Sequence, residues 1–151
     1  MMVKAACKAK WIKVIVDAKP NNIGRFIWCH LIKPNFSEFK KMIKKEIANE
    51  DSEIEHYWKL FAEAMSANIL ITRGNKGCSY ITTTWEYYHL ETNAQQVFDV
   101  TGAGDTLIAV TAYGLNSGMD IIDAIKLWNK AAGIIVGKPG TAVITREELG
   151  I

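Results

Sequence analysis

The stretch Asp99 to Val110 reads Asp-Val-Thr-Gly-Ala-Gly-Asp-Thr-Leu-Ile-Ala-Val, three small residues followed by an acid and an apolar run. Gly102, Ala103 and Gly104 at the start of a helix would offer unpaired backbone N–H groups and the positive end of the helix dipole to an anion. Their small side chains let a phosphate approach the backbone closely. A carboxylate beside that cradle would repel a resting phosphate, but it suits a base that takes a proton from an incoming hydroxyl. Phosphoryl transfer needs such a base, together with positioning and charge stabilisation. A second reading stays open on the residues alone: Asp105 is a favourable first-turn acid, and the glycines make a tight connection.

Other polar residues stand where a chain would expose them. Asp17 and Lys19 follow the β-branched run Trp11 to Val16, and Asn35 and Glu38 follow the run His30 to Lys33. Asn35 with Glu38 three residues on is also the spacing of a helix capping box. Thr72, Gly74 and Gly77 follow the apolar run Asn68 to Ile71. By itself Arg73-Gly74-Asn75-Lys76-Gly77 is a polar turn between strands.

The elements that must position these residues follow from periodicity. Trp11–Val16, His30–Lys33 and Asn68–Thr72 are short apolar runs, expected as buried strands. Phe36, Phe39, Ile43 and Ile47 recur at helical spacing, as do Ile54, Trp58, Phe61 and Met65 after a cap at Asp51-Ser52. Residues 78–84 and 86–90 read as a hairpin. Residues 103–117 and 120–136 read as two helices, the second capped by Asp120, with Gly118 stopping the first. The first ten residues read as the last turns of a helix. Strands alternating with helices predict an α/β sheet with parallel βαβ units. Ligands of such sheets bind at the carboxyl ends of the strands. That rule puts the loops after Val16, Lys33 and Thr72 on one rim, and the turn at 101–104 is expected to join them.

Composition narrows the function classes. The 151 residues are expected to form a single domain, 49% hydrophobic and 23% charged. A net charge of +2, with lysines dispersed, excludes a strongly basic nucleic-acid surface. Lys40, Lys41, Lys44 and Lys45 read as a solvated helix face. Three cysteines, far apart and in no paired motif, fit free thiols in a reducing compartment. His30, His56 and His89 have no zinc-ligand spacing. The five tryptophans are expected in the core. With no apolar run near membrane length and lysines through the N-terminus, the chain is expected to be cytoplasmic, without membrane or nucleic-acid partners.

The motifs also carry a family resemblance. DVTGAGD resembles the DTxGAGD signature of the PfkB, or ribokinase-like, carbohydrate kinases. VDAKPN, LIKPNFSEF and ILITRGNKGCSYI resemble that family's VDPKG, PNxxE and TxGxxG segments, in the same order. NKAAGIIVGKPGTAVITREEL is similar to the C-terminal segment of the heptose 7-phosphate kinase branch, whose members make lipopolysaccharide heptose precursors. The resemblance implies a ribokinase-like three-layer αβα fold, here limited to its C-terminal, ATP-binding half.

It implies an ATP- and Mg²⁺-dependent kinase acting on a phosphorylated sugar. Asp105 would be the catalytic base, and Gly102, Ala103 and Gly104 the anion hole. Thr72, Gly74, Gly77 and Asn129 would bind ATP. Asn35 and Glu38 would act on Mg²⁺ through water, which suits an ion that keeps most of its hydration shell. Asp99 and Thr101, with carbonyls near Gly140, would hold a monovalent cation such as K⁺. Asp17 and Lys19 would face a phosphate or the substrate. Family members are commonly longer and carry a sugar-binding half with a β-lid, which has no counterpart in these residues. A homo-oligomer or a partner subunit supplying that half is therefore expected. The alternatives are a nucleotide-binding module without turnover, a subunit of a split kinase, and a kinase of ribose, fructose or adenosine.

Overall fold

The β-branched apolar runs become the strands of one sheet. The computed structural model describes residues 7, 10, 12–92, 103–136 and 143–151. Two compact units divide the chain: Met1–Gly74 with Cys78–Leu90, and Asn75–Gly77 with Glu91–Ile151.

The first unit holds the sheet, formed in chain order by β1 (Ile15–Val16), β2 (Leu31–Ile32), β3 (Asn68–Thr72), β4 (Cys78–Ile81) and β5 (Tyr87–Leu90). The first three strands are mutually parallel, with Val16 opposite Ile32 and Ile32 opposite Ile69. The expected hairpin adds β4 and β5 antiparallel, so the sheet is mixed. β1 is shorter than the Trp11–Val16 run. The N–H of Val14 goes to the His30 ring Nδ1 at 3.1 Å rather than into the ladder. Ile69 and Ile71 on one face of β3 join a fully buried cluster with Ile32, Phe39, Ile54 and Trp58. Leu70, equally buried, alternates to the other face.

Helices α1 (Phe36–Ile43) and α2 (Asp51–Met65) cover that cluster. The predicted α2 face, Ile54, Trp58, Phe61 and Met65, is the buried one. Phe61 meets Phe39 of α1 edge-on, with ring centroids 5.9 Å apart. Two expectations need correction. Helix α1 stops before Ile47, because Lys44 takes a left-handed φ of 55° and closes the helix with its N–H on the Lys40 carbonyl. Ile47 still packs on the core from the following loop. Nor does Asp51-Ser52 cap α2. Glu50 holds the cap position without a side-chain capping bond, and the Asp51 carboxylate is engaged by Arg73 instead.

The second unit contains α3 (Ala103–Asn116), α4 (Ile121–Val136) and α5 (Arg146–Leu149). Gly118, at φ +83°, turns the chain after α3, and Asp120 Oδ1 accepts the Ile122 N–H at 2.8 Å to start α4. The two helices touch closely: a Cβ on Gly114 would lie 2.8 Å from the Ala124 Cβ. Thr145 and Glu148 form a capping box on α5, and Lys130 donates to the Leu149 carbonyl at 2.7 Å. The expected N-terminal helix lies almost wholly outside the described residues. Of the tryptophans, Trp58 and Trp128 are buried, while Trp85 at the hairpin tip is exposed. Its backbone there takes a φ of 70°, so the position serves the turn and not the core.

Candidate functional site

Because β1, β2 and β3 are parallel, their carboxyl ends lie along one edge of the first unit, where ligands of α/β sheets bind. Asp17 follows β1, Lys33-Pro34-Asn35 follows β2, and Thr72 ends β3. The Thr72 N–H donates to the Pro34 carbonyl at 3.1 Å, and Asn35 and Thr72 form a parallel bridge.

Four of the residues singled out from sequence meet here. Asn35 caps α1: its Oδ1 accepts the Glu38 N–H at 2.8 Å, and Glu38 Oε2 accepts the Asn35 N–H at 2.9 Å. Glu38 Oε1 accepts from the Lys19 ammonium at 2.8 Å, and the same ammonium lies 3.4 Å from Asp17 Oδ1. The Lys19 loop is held by its own backbone, whose N–H donates to Asn22 Oδ1 at 2.9 Å. A fifth member was not anticipated. Lys33, only 5% exposed, places its ammonium 3.3 Å from Asp17 Oδ2. A lysine closing an apolar strand, directly before Pro-Asn, was the available signal.

The charges of this network are mutually supporting. Burial works to raise the Glu38 pKa, but the Lys19 hydrogen bond, the Asn35 N–H and the charges of Lys19 and Lys33 outweigh it and hold the carboxyl below its ordinary value. The Glu38 hydrogen bond raises the Lys19 pKa, against a smaller effect of burial, with the Asp17 and Glu38 charges adding to the rise. The oxygen donors suit a hydrated divalent cation. An ionised carboxylate has about four lone-pair sites, of which Glu38 shows two in use, and an amide oxygen has two.

The glycines of the next loop are required by their backbone. Gly74 and Gly77 have φ of +65° and +73°, in the left-handed region. A Cβ on Gly74 would meet nothing within 4 Å, so conformation rather than crowding demands the glycine. Arg73 before it is no simple turn residue, as its side chain is buried at 3% exposure. Its Nε donates to Asn49 Oδ1 at 2.8 Å, Nη2 to the Asn49 carbonyl at 3.0 Å, and Nη1 to Ser79 Oγ at 3.0 Å. Nη1 also pairs with Asp51, whose Oδ1 accepts from Tyr87 OH at 2.9 Å. The Arg73 hydrogen bond, against slight burial, holds the Asp51 carboxyl below its ordinary value, with Tyr87 assisting. Burial pushes the Tyr87 hydroxyl up to about 12. Periodicity gave no hint of this cluster, since its members lie on four separate segments.

In the second unit Asp105 stands exposed in the first turn of α3, two residues after Ala103 opens the helix. Asn129 is buried on α4, and its amide donates to the Glu91 carbonyl. Asp99, Thr101, Gly102 and Gly140 lie outside the described residues. No helix among the described residues is long and apolar enough to cross a membrane.

The family model for pfkB family carbohydrate kinases matches residues 2–148. The bifunctional protein HldE of Shewanella baltica strain OS155 is 39% identical over 145 residues, and that of Shewanella loihica is 41% identical over the same length. Each alignment covers 96% of this chain and 30% of the relative, so the chain spans under a third of the length of these curated relatives. Among solved structures, Escherichia coli phosphofructokinase-2 in complex with potassium superposes with a TM-score of 0.83 at 14% identity, over 99% of this chain and 49% of that one. Arabidopsis thaliana ribokinase complexed with ribose and ATP gives 0.77 at 21% identity, over 92% and 46%. The fold is therefore ribokinase-like, corresponding to about half of each of those chains.

Proposed function

The chain belongs to the pfkB family of carbohydrate kinases, and from that premise we propose that it is the ATP-binding part of a sugar kinase. The reaction proposed moves the γ-phosphate of ATP to a hydroxyl of a sugar phosphate, with heptose 7-phosphate favoured by the resemblance of the segment NKAAGIIVGKPGTAVITREEL to the heptose 7-phosphate kinase branch. One observation carries the reading. Asp17, Lys19, Asn35 and Glu38, separated in sequence, form one hydrogen-bonded network at the carboxyl ends of parallel strands.

In this reading Asp105 accepts the proton of the sugar hydroxyl as its oxygen bonds to phosphorus. The bond between phosphorus and the β–γ bridging oxygen breaks, and ADP leaves. The backbone N–H groups of Gly102, Ala103 and Gly104 receive the negative charge of the transferring phosphoryl. Thr72, Gly74 and Gly77 border the nucleotide. Asn129 also binds ATP in this reading. Asn35 and Glu38 would hold Mg²⁺ through water, and the ion when bound would neutralise phosphate charge. Asp99 and Thr101 would hold a monovalent cation.

Calorimetric titration of Mg-ATP into the chain tests the reading, with Asp105→Asn and Gly104→Val alongside. Binding retained by Asp105→Asn and abolished by Gly104→Val is expected, followed by phosphoryl transfer in a sugar-phosphate screen that Asp105→Asn does not support. No wild-type binding at millimolar nucleotide refutes it for this chain. A second reading is a nucleotide-binding module that turns over only with a further sugar-binding half. Binding without transfer, and transfer on adding a partner or forming an oligomer, would select it. We place the protein in the cytoplasm, where ATP and sugar phosphates are available.

A further inference from the structure

Glu38 divides its two oxygens between different tasks. Oε2 accepts the Asn35 N–H and belongs to the helix cap. Oε1 is held from outside the helix, by the Lys19 ammonium at 2.8 Å. The two lysines of the network also differ. Lys33 is buried against Asp17 Oδ2 and is a fixed cation. The Lys19 side chain is 60% exposed, and the loop carrying it is secured by its backbone N–H, independently of the ammonium. With two lysines facing two carboxylates, the network as it stands is neutral.

We propose that Lys19 is a displaceable counter-ion on Glu38. A hydrated divalent cation arriving with the nucleotide takes its place beside Oε1, held through water, and the released ammonium turns to the phosphates. This rests on the reading of Asn35 and Glu38 as the metal-facing pair. A divalent cation and an ammonium compete for one carboxylate oxygen, because like charges at hydrogen-bond distance repel. The long lysine stem allows the ammonium to leave without disturbing packing. The exchange turns a neutral network into a positive one only when the metal is present, which matches the site to a polyphosphate and not to metal-free anions.

The test reads metal binding and not turnover. Mn²⁺ is titrated into the intact chain, and the free ion is followed by electron paramagnetic resonance. Wild type is compared with Lys19→Gln, Glu38→Gln and Lys45→Gln, the last removing an equal charge from an exposed residue after α1. The expected result is several-fold tighter Mn²⁺ binding in Lys19→Gln, no change in Lys45→Gln and loss in Glu38→Gln. In a second readout, Mg²⁺ shifts the Lys19 side-chain ¹⁵N resonance of wild type and leaves that of Lys33 in place. Unchanged or weaker binding in Lys19→Gln, with loss in Glu38→Gln, overturns the exchange and leaves the metal pair standing. Equal tightening in Lys45→Gln overturns it also, as a general charge effect. Wild-type affinity in Glu38→Gln, or no binding by any chain, overturns the metal pair and the exchange together.

Discussion

Replacing Asp17 by Asn removes the anion 3.3 Å from the buried Lys33 ammonium and changes little else in shape. Breaking a buried ion pair from one side costs roughly 3–5 kcal/mol, because the other charge is left without compensation. The Asp17 side chain is 24% exposed and the amide oxygen still accepts a hydrogen bond, so the low end, about 3 kcal/mol, is expected. Lys33→Met removes the other partner, but Asp17 keeps water and Lys19, so the cost is expected at about 1 kcal/mol or less. The double variant has no orphaned ammonium and should resemble Lys33→Met. That leaves a coupling of about 3 kcal/mol, equal in size to the Asp17→Asn cost, between two sites whose separate effects would otherwise add. Urea unfolding of the four chains, with a common slope, measures all the terms. Additive losses in the double variant, or a loss below about 1 kcal/mol in Asp17→Asn, would refute the claim that Asp17 sustains the Lys33 charge.

Further outcomes follow from the same geometry. Arg73→Met removes the guanidinium hydrogen bonds that Asn49 and Ser79 accept, together with the buried cation facing Asp51, and should destabilise the fold by about 3 kcal/mol, measured by urea unfolding. The Asp51 and Glu38 pKa values are lowered on folding, so their contribution is present above the unfolded carboxylate values of about 3.9 and 4.3 and is lost as pH falls through the folded values. Arg73→Met should flatten that acid limb in a pH series of unfolding curves. Gly114→Ala gains about 1 kcal/mol of helix propensity, but overpacking against Ala124 costs 1–3 kcal/mol, so a net loss of about 1 kcal/mol is expected on thermal melting. Burial pushes the Cys29 thiol up to about 11, and Cys78 up to about 12 against the opposing Arg73 charge. Neither should react with a thiol reagent at pH 8 until the chain unfolds, which a timed thiol count checks.

Local patterns were legible wherever a physical rule acts within one turn of chain. The apolar run ending at Thr72 is the strand β3, and the spacing of Ile54, Trp58, Phe61 and Met65 is the buried stripe of α2. Asn35 and Glu38, three apart, form the capping box their spacing describes, because the cap is closed by backbone groups of the same segment. Gly118 and Asp120 mark the turn between α3 and α4 for the same reason. The end of α1 was not legible, since the left-handed turn there falls on a lysine and not on a glycine.

What sequence alone determined was the family, through the motifs that a pfkB model matches over residues 2–148, and the local elements that carry them. Sheet order decided the rest. Lys19 meets Glu38 across 19 residues only because β1 lies beside β2. That same pairing brings Lys33 to Asp17. Arg73 gathers Asn49, Asp51, Ser79 and Tyr87 from segments as much as 24 residues away. No periodicity encodes these meetings: a side chain's local rule fixes which face it takes, and the packed neighbours then decide which charge it finds there.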